Sequence, residues 1–126
     1  MSTERARKTM AKLVEWYGGK ENYMEAATHP LSAQVTAAYG KRFDAARTKL
    51  IEKKGTDVNT FEVKECVGEM EFVSGQFLRL KEMKGYMLET AKDYRENEEL
   101  RKHIEETYGE GTSDYLADAI EAFYQN

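Results

Sequence analysis

Proline is almost missing from this 126-residue chain, and Pro30 is the only one. Proline fixes φ and removes an N–H, so with a single breaker long helices can run almost anywhere. The turn chemistry that β-rich chains require is correspondingly scarce. Cysteine is also down to one, Cys66. That excludes an intrachain disulfide and fits a reducing compartment, so the expected location is cytoplasmic. No apolar run approaches the roughly 20 residues that a membrane helix needs. The N-terminus carries basic residues with no apolar block behind them, so no secretory signal is expected. Histidine is limited to His29 and His103. A di-iron bundle uses Glu-x-x-His at spacing three. The nearest matches, Glu25…His29 and Glu99…His103, are both at spacing four. Zinc would want more His or Cys. His103 is flanked by Arg101, Lys102, Glu105 and Glu106, which is no apolar haem wall. No metal and no cofactor is expected.

What the chain does have is enough apolar residues for a core and a divided charge. Hydrophobic residues make up 40% and charged residues 33%, so disorder by composition is excluded. Residues 1–54 carry 11 basic and 6 acidic side chains, and the remainder 8 and 17. The basic front, with Arg5, Arg7, Lys8 and Lys12, has the charge to touch phosphates. The blander reading is that it lies beside the acidic half. No zinc-finger spacing, RNP motif or phosphate loop supports the first. No direct nucleic-acid binding is expected.

The periodicity is helical throughout, with steps of three and four. Residues 3–17 place Ala6, Met10, Leu13, Val14 and Tyr17 on one stripe, and Gly18-Gly19 ends it. A short helix over 20–28 offers Tyr23, Met24 and Ala27 before His29-Pro30 breaks it. The longest helix spans 31–54, with Val35, Tyr39, Phe43, Ala46 and Leu50 inward and Lys53, Lys54 and Gly55 at its end. Asn59, with Glu62 three residues on, predicts the next N-cap. That helix runs to about 80 with Val63, Cys66, Val67, Met70, Val73, Phe77 and Leu80 inward. Phe72 lies off the stripe and either widens the buried face or is partly exposed. Gly68 and Gly75, on one side of this helix, suggest the close approach of another helix backbone or of a ligand. A helix over 83–95 turns Met83, Met87, Ala91 and Tyr94 inward. Asn97 caps a helix with Leu100, Ile104 and Tyr108 spaced by four. After Gly109-Glu110-Gly111, Thr112 or Ser113 caps a last helix that buries Leu116, Ala119, Ile120 and Phe123. The fold class is all-α: one domain over 1–126, a bundle of six or seven helices and no strand.

Catalytic residues are not evident, and the chain reads as no enzyme. Cys66 lies in an apolar stripe with Val63 and Met70 one turn away and no cation on that face. It reads as a small buried hydrophobe. Glu62, Glu65 and Glu69 read as a solvated ridge. The informative excess is eight Tyr, five Phe, six Met and one Trp. Tyr and Trp combine an apolar body with a polar tip, and a small helical core struggles to satisfy so many hydroxyls. A cleft lined by some of them would be a ligand site.

Three stretches, taken in order, carry a resemblance. They are Gly55-Thr-Asp-Val-Asn-Thr-Phe-Glu-Val-Lys-Glu-Cys-Val67, Ala91-Lys-Asp-Tyr-Arg-Glu-Asn-Glu-Glu-Leu100, and Tyr108-Gly-Glu-Gly-Thr-Ser-Asp-Tyr-Leu-Ala-Asp-Ala-Ile-Glu-Ala-Phe-Tyr124. Together they resemble the TipAS antibiotic-recognition domain, the effector domain of drug-sensing MerR-type regulators, also found alone. Gly111, Tyr115, Leu116, Ala119 and Ile120 stand in matching places. The resemblance implies a globin-like fold without haem and a hydrophobic cleft for bulky antibiotics such as thiopeptides. It also implies mobile N-terminal helices. The family's founding member has a cysteine that bonds to drug, but Cys66 is at a different, buried-looking place and is not given that role. The DNA-binding and coiled-coil segments of the regulators are not found in this sequence.

The expected function is therefore non-catalytic binding of a bulky hydrophobic or peptide antibiotic in an aromatic cleft, for drug sensing or sequestration. The cleft residues expected are Phe72, Tyr86, Met87, Tyr94, Tyr108 and Tyr115, with Trp16 from a mobile lid over residues 1–30. The alternative is a helical protein-interaction module or accessory subunit of a transcriptional regulator. A monomer or weak homodimer without membrane attachment is expected.

Overall fold

The computed structural model describes residues 2–125, with side chains from Arg7 onward except Thr9. Ala6 and Arg5, placed above on a stripe and in the basic front, have side chains outside the described residues. Seven helices follow one another: α1 Ser2–Tyr17, α2 Lys20–Thr28, α3 Ala33–Glu52, α4 Phe61–Leu78, α5 Met83–Glu96, α6 Glu98–Tyr108 and α7 Thr112–Tyr124. No strand occurs among the described residues.

Local chemistry sets the boundaries. At the end of α1 the Gly18 N–H donates to Glu15 O and the Gly19 N–H to Val14 O, at 2.9 and 3.0 Å. This paired pattern needs a left-handed residue after the helix, and Gly18 supplies it with φ of 86°. Ser32 caps α3 by accepting from Val35 N. Asn97 caps α6 by accepting from Leu100 N, as its sequence position predicts.

Two predicted caps are displaced. Asn59 does not cap α4; its own N–H donates to Asp57 Oδ1 at 2.8 Å, and Thr60 accepts from Val63 N instead. Neither Thr112 nor Ser113 caps α7, whose N-cap is Gly111. Both are fully buried, and their hydroxyls donate to the carbonyls of Tyr108 and Tyr94. The exposed donors are met from α6, where Glu105 accepts from Gly111 N at 2.7 Å and Ser113 N at 2.8 Å. Those two N–H groups hold the Glu105 carboxyl below its ordinary value.

The core is centred on α7, which packs against α3, α4, α5 and α6. Leu50, Val63, Val67, Met70, Met87, Ala91, Ile104, Leu116 and Ile120 are all sealed from solvent around it. Gly68 and Gly75 admit side chains rather than a helix backbone: Phe123 lies against the first and Met83 against the second. Ion pairs lace the outside of the core. Arg95 reaches Glu121 and Asp118, and Arg101 reaches Asp114 at 2.7 Å. Lys54, expected at the negative end of α3, instead donates to Glu110 O and Thr112 Oγ1.

The N-terminal pair is attached differently. No residue of α2 is buried, and no described residue of α1 is. The α4–α5 connector holds the pair: Lys81 N and Glu82 N both donate to Trp16 O at 2.9 Å, and Arg79 Nη2 donates to Ala26 O at 2.7 Å. The basic half meets the acidic half through exposed pairs, Lys12–Glu89 at 3.4 Å and Arg42–Glu69 at 2.5 Å. The predicted inward stripes also run past their cover. Val35 on α3 is 41% exposed, Met10 on α1 46% and Phe77 on α4 38%.

Candidate functional site

That uncovered stretch of α3 is where a site opens. Beyond Ala46, α3 continues towards its N-terminus without a helix sealed over it. Its Tyr39, Gly40, Phe43 and Asp44, with Val73, Ser74, Phe77 and Leu78 of α4 and Tyr86 of α5, form the lining. The result is an apolar groove of about 230 Å³. A second depression, about 500 Å³, lies between α1 and α5, lined by Lys8, Lys12, Trp16, Tyr86, Glu89, Thr90, Lys92 and Asp93. Its lining is ionic where the first is greasy.

Tyr86 belongs to both. Trp16 meets its ring edge-on, with centroids 5.8 Å apart and planes at 86°. Edge-to-face contact of this kind adds roughly 0.5–1.5 kcal/mol beyond area burial. Burial pushes the Tyr86 phenol up, so it is neutral at neutral pH. Trp16 is fitted against the backbone of α5 at Gly85: a Cβ there would stand 2.5 Å from Trp16 Nε1.

Gly40 is the other telling residue. Glycine inside a helix costs about 1 kcal/mol relative to alanine. At Gly85 the Trp16 ring leaves no room for a Cβ, and at Gly68 and Gly75 a Cβ would make ordinary contact with Phe123 and Met83; at Gly40 it would meet nothing within 4 Å. Gly40 is also part of the groove's lining.

The seven expected cleft residues separate. Trp16 and Tyr86 come together as described. Phe72 is 53% exposed on the outside of α4, with the Arg42 guanidinium 5.7 Å from its ring centre. Met87 and Tyr94 are buried in the core. Tyr108 packs half-buried against that core, and Tyr115 is buried with its hydroxyl donating to Thr56 O. None of these five lines either depression. The groove's own walls, Tyr39, Phe43, Val73 and Phe77, read from sequence as core. Gly40 in the middle of a helical stretch was the signal available for them.

Cys66 is half-buried at a third depression between α3 and α4, beside Arg42, Lys49, Glu65 and Glu69. Burial pushes its thiol up, against the pull of Lys53 and Lys49, so it stays protonated at neutral pH. No group of three metal-ligating side chains occurs among the described residues. No helix there is long and apolar enough to cross a membrane.

The described residues thus form an all-α framework with an aromatic-lined groove. Residues 10–123 match the model of the TipAS antibiotic-recognition domain, and the chain belongs to that family. No curated protein and no solved structure is significantly similar to the chain.

Proposed function

We propose that this chain captures a bulky hydrophobic or peptide antibiotic stoichiometrically, for sensing or sequestration in the cytoplasm, without turnover. The observation that carries the reading is the greasy groove, one of whose lining residues, Tyr86, is shared with the depression between α1 and α5. Apolar area removed from water there contributes about 25 cal/mol per Å², less what ordering costs. Family membership supplies the ligand class. A thiopeptide-sized molecule far exceeds 230 Å³, so the groove takes one end of it and the rest lies along α1 and α5.

In this reading residues 1–30 act as a lid on a single domain. The support is that α1 and α2 bury no described residue and are tied down chiefly by three backbone-directed hydrogen bonds and Trp16. Such weakly buried segments open at the low end of a protein's local stability range.

A thermal-shift series with thiopeptides and other bulky peptides tests it. A genuine ligand at 100 times its dissociation constant adds about 2.7 kcal/mol of stability. Trp16 emission should move with it, because the ring lies against Tyr86 at the site. No shift with any compound sinks the antibiotic reading. A shift without any emission change sinks the lid.

The alternative, a protein-interaction module, draws on Phe61 and Phe72, which stand 74% and 53% exposed. Self-association or a stable co-purified protein in sedimentation velocity, abolished by Phe61→Ser, would favour it.

A further inference from the structure

We propose that Gly40 and Tyr86 gauge the guest: the groove accepts an uncharged, ring-bearing end group, limited on the α3 side by the missing side chain of Gly40 and at its far end by the ring of Tyr86. This rests on the ligand-binding reading above and adds which chemical group enters and what limits its size.

The chemistry of the walls argues for a neutral ring. Val73, Phe77 and Leu78 offer no polar partner, Ser74 offers only a neutral hydroxyl, and Tyr39, Phe43 and Tyr86 offer aromatic faces and edges. The one carboxylate of the lining, Asp44, is exposed at the rim and lies 3.9 Å from the Arg47 guanidinium. A charge pushed between those walls would be stripped of water without a counter-ion, which is strongly unfavourable. Size excludes larger occupants. A helix is about 10 Å across with its side chains, and drug-sized sites occupy roughly 300–1,000 Å³. The groove, at about 230 Å³, holds one end of such a molecule.

Two residues set that limit for separate reasons. A Cβ at Gly40 would meet nothing within 4 Å, and Gly40 is part of the groove's lining, so a longer side chain there has room to lie over the groove. Tyr86 lines both the groove and the larger ionic depression. Removing the ring joins the two volumes. Lengthening residue 40 fills the smaller one. The two changes therefore shift size preference in opposite directions.

Two neutral dyes test this, N-phenyl-1-naphthylamine as the small probe and Nile red as the large one, titrated by fluorescence into the full chain. The wild type should bind the small probe saturably and prefer it. Gly40→Leu, which adds a helix-favouring side chain at a site with no neighbour to clash, should weaken the small probe at least about tenfold. Tyr86→Ala should tighten Nile red about tenfold relative to the small probe, and Tyr86→Leu, which keeps more of the packing, should move the ratio the same way by less. Circular dichroism confirms folding of each. Unchanged small-probe binding in Gly40→Leu overturns the gauge, as does an unchanged ratio in a folded Tyr86 variant. Failure of the wild type to bind the small probe at all overturns both the gauge and the groove as a site. Small-probe binding with the predicted shifts, but no stabilisation by any antibiotic, upholds the gauge and defeats the antibiotic reading instead.

Discussion

Helices α1 and α7 both present an apolar stripe at helical spacing, yet they end in opposite circumstances. α7 buries eight of its 13 residues because four other helices surround it. α1 touches α2 and α5, and its Leu13, Val14, Trp16 and Tyr17 stay half-buried. Amphipathicity makes a helix able to pack; the number of neighbours decides how much it does. What joins each to the rest also differs. α7 is held by side-chain packing, buried hydroxyls and carboxylate–arginine pairs. The α1–α2 pair is held by the main-chain acceptors Trp16 O and Ala26 O, with the Trp16 ring against Tyr86 and an exposed Lys12–Glu89 pair beside them. One region is a specified core, the other a docked arm.

The largest expected effect contrasts truncations in the two. Leu116→Ala removes a side chain with no exposure and should cost about 3 kcal/mol, within the roughly 2–5 kcal/mol of such changes. Leu13→Ala removes a half-buried one from α1 and should cost about 1 kcal/mol or less. Urea unfolding followed by far-ultraviolet circular dichroism measures both. Equal losses would mean that the arm is part of the cooperative core.

Next comes the acid dependence of the α7 start. Glu105→Ala removes the acceptor for Gly111 N and Ser113 N and should cost about 1 kcal/mol at neutral pH, as lost caps do. The folded Glu105 carboxyl titrates below its ordinary value of 4.5. Its contribution is thus fully present above that value and is lost as pH falls through the folded one. Asp114 beside Arg101 and Glu121 beside Arg95 are lowered in the same sense. Unfolding midpoints taken from about pH 6 down to about pH 3 should fall for the wild type and fall less steeply for Glu105→Ala. The carbonyl acceptors that hold the arm do not titrate, so hydrogen exchange should show acid loosening first at residues 109–115.

These same places show what was legible in the sequence. All seven helices were, because stripe spacing and the breaks at Gly18-Gly19, His29-Pro30 and Gly109 are local signals. Asn97 is legible as a cap, since its side chain meets Leu100 N within its own segment. Asn59 was not, because Asp57 takes its N–H and moves the cap one residue on. The Glu105 cap is a contact made across two helices and leaves no local trace. The candidate site was legible only in part. Tyr39 and Tyr94 occupy equivalent apolar positions on their helices, but one faces the groove and the other the core, and only the extent of the covering helix distinguishes them.

A smaller effect separates seating of the arm from stability of the whole. Gly85→Ala should favour α5 as a helix by up to about 1 kcal/mol. Its Cβ would also fall 2.5 Å from Trp16 Nε1, so the indole must move off Tyr86. The expected outcome is a red shift and changed quenching of Trp16 emission with little change in the urea midpoint. An unchanged spectrum would show that Trp16 does not sit where the contact with Gly85 places it.

The smallest effect is expected at Arg79, where two terms oppose each other. Arg79 is the one non-glycine residue with positive φ among the described residues, at 57°. The left-handed region costs an ordinary residue roughly 1–2 kcal/mol, which glycine avoids. Arg79→Gly therefore relieves strain at the end of α4, while it removes the guanidinium from Ala26 O. The relief acts on the core; the loss acts on the arm. The urea midpoint should stay within about 0.5 kcal/mol of wild type, whereas amide exchange over α2 should quicken. A variant whose α2 remains as protected as before would show that the two Trp16 carbonyl bonds suffice, and that the arm is anchored through α1 alone.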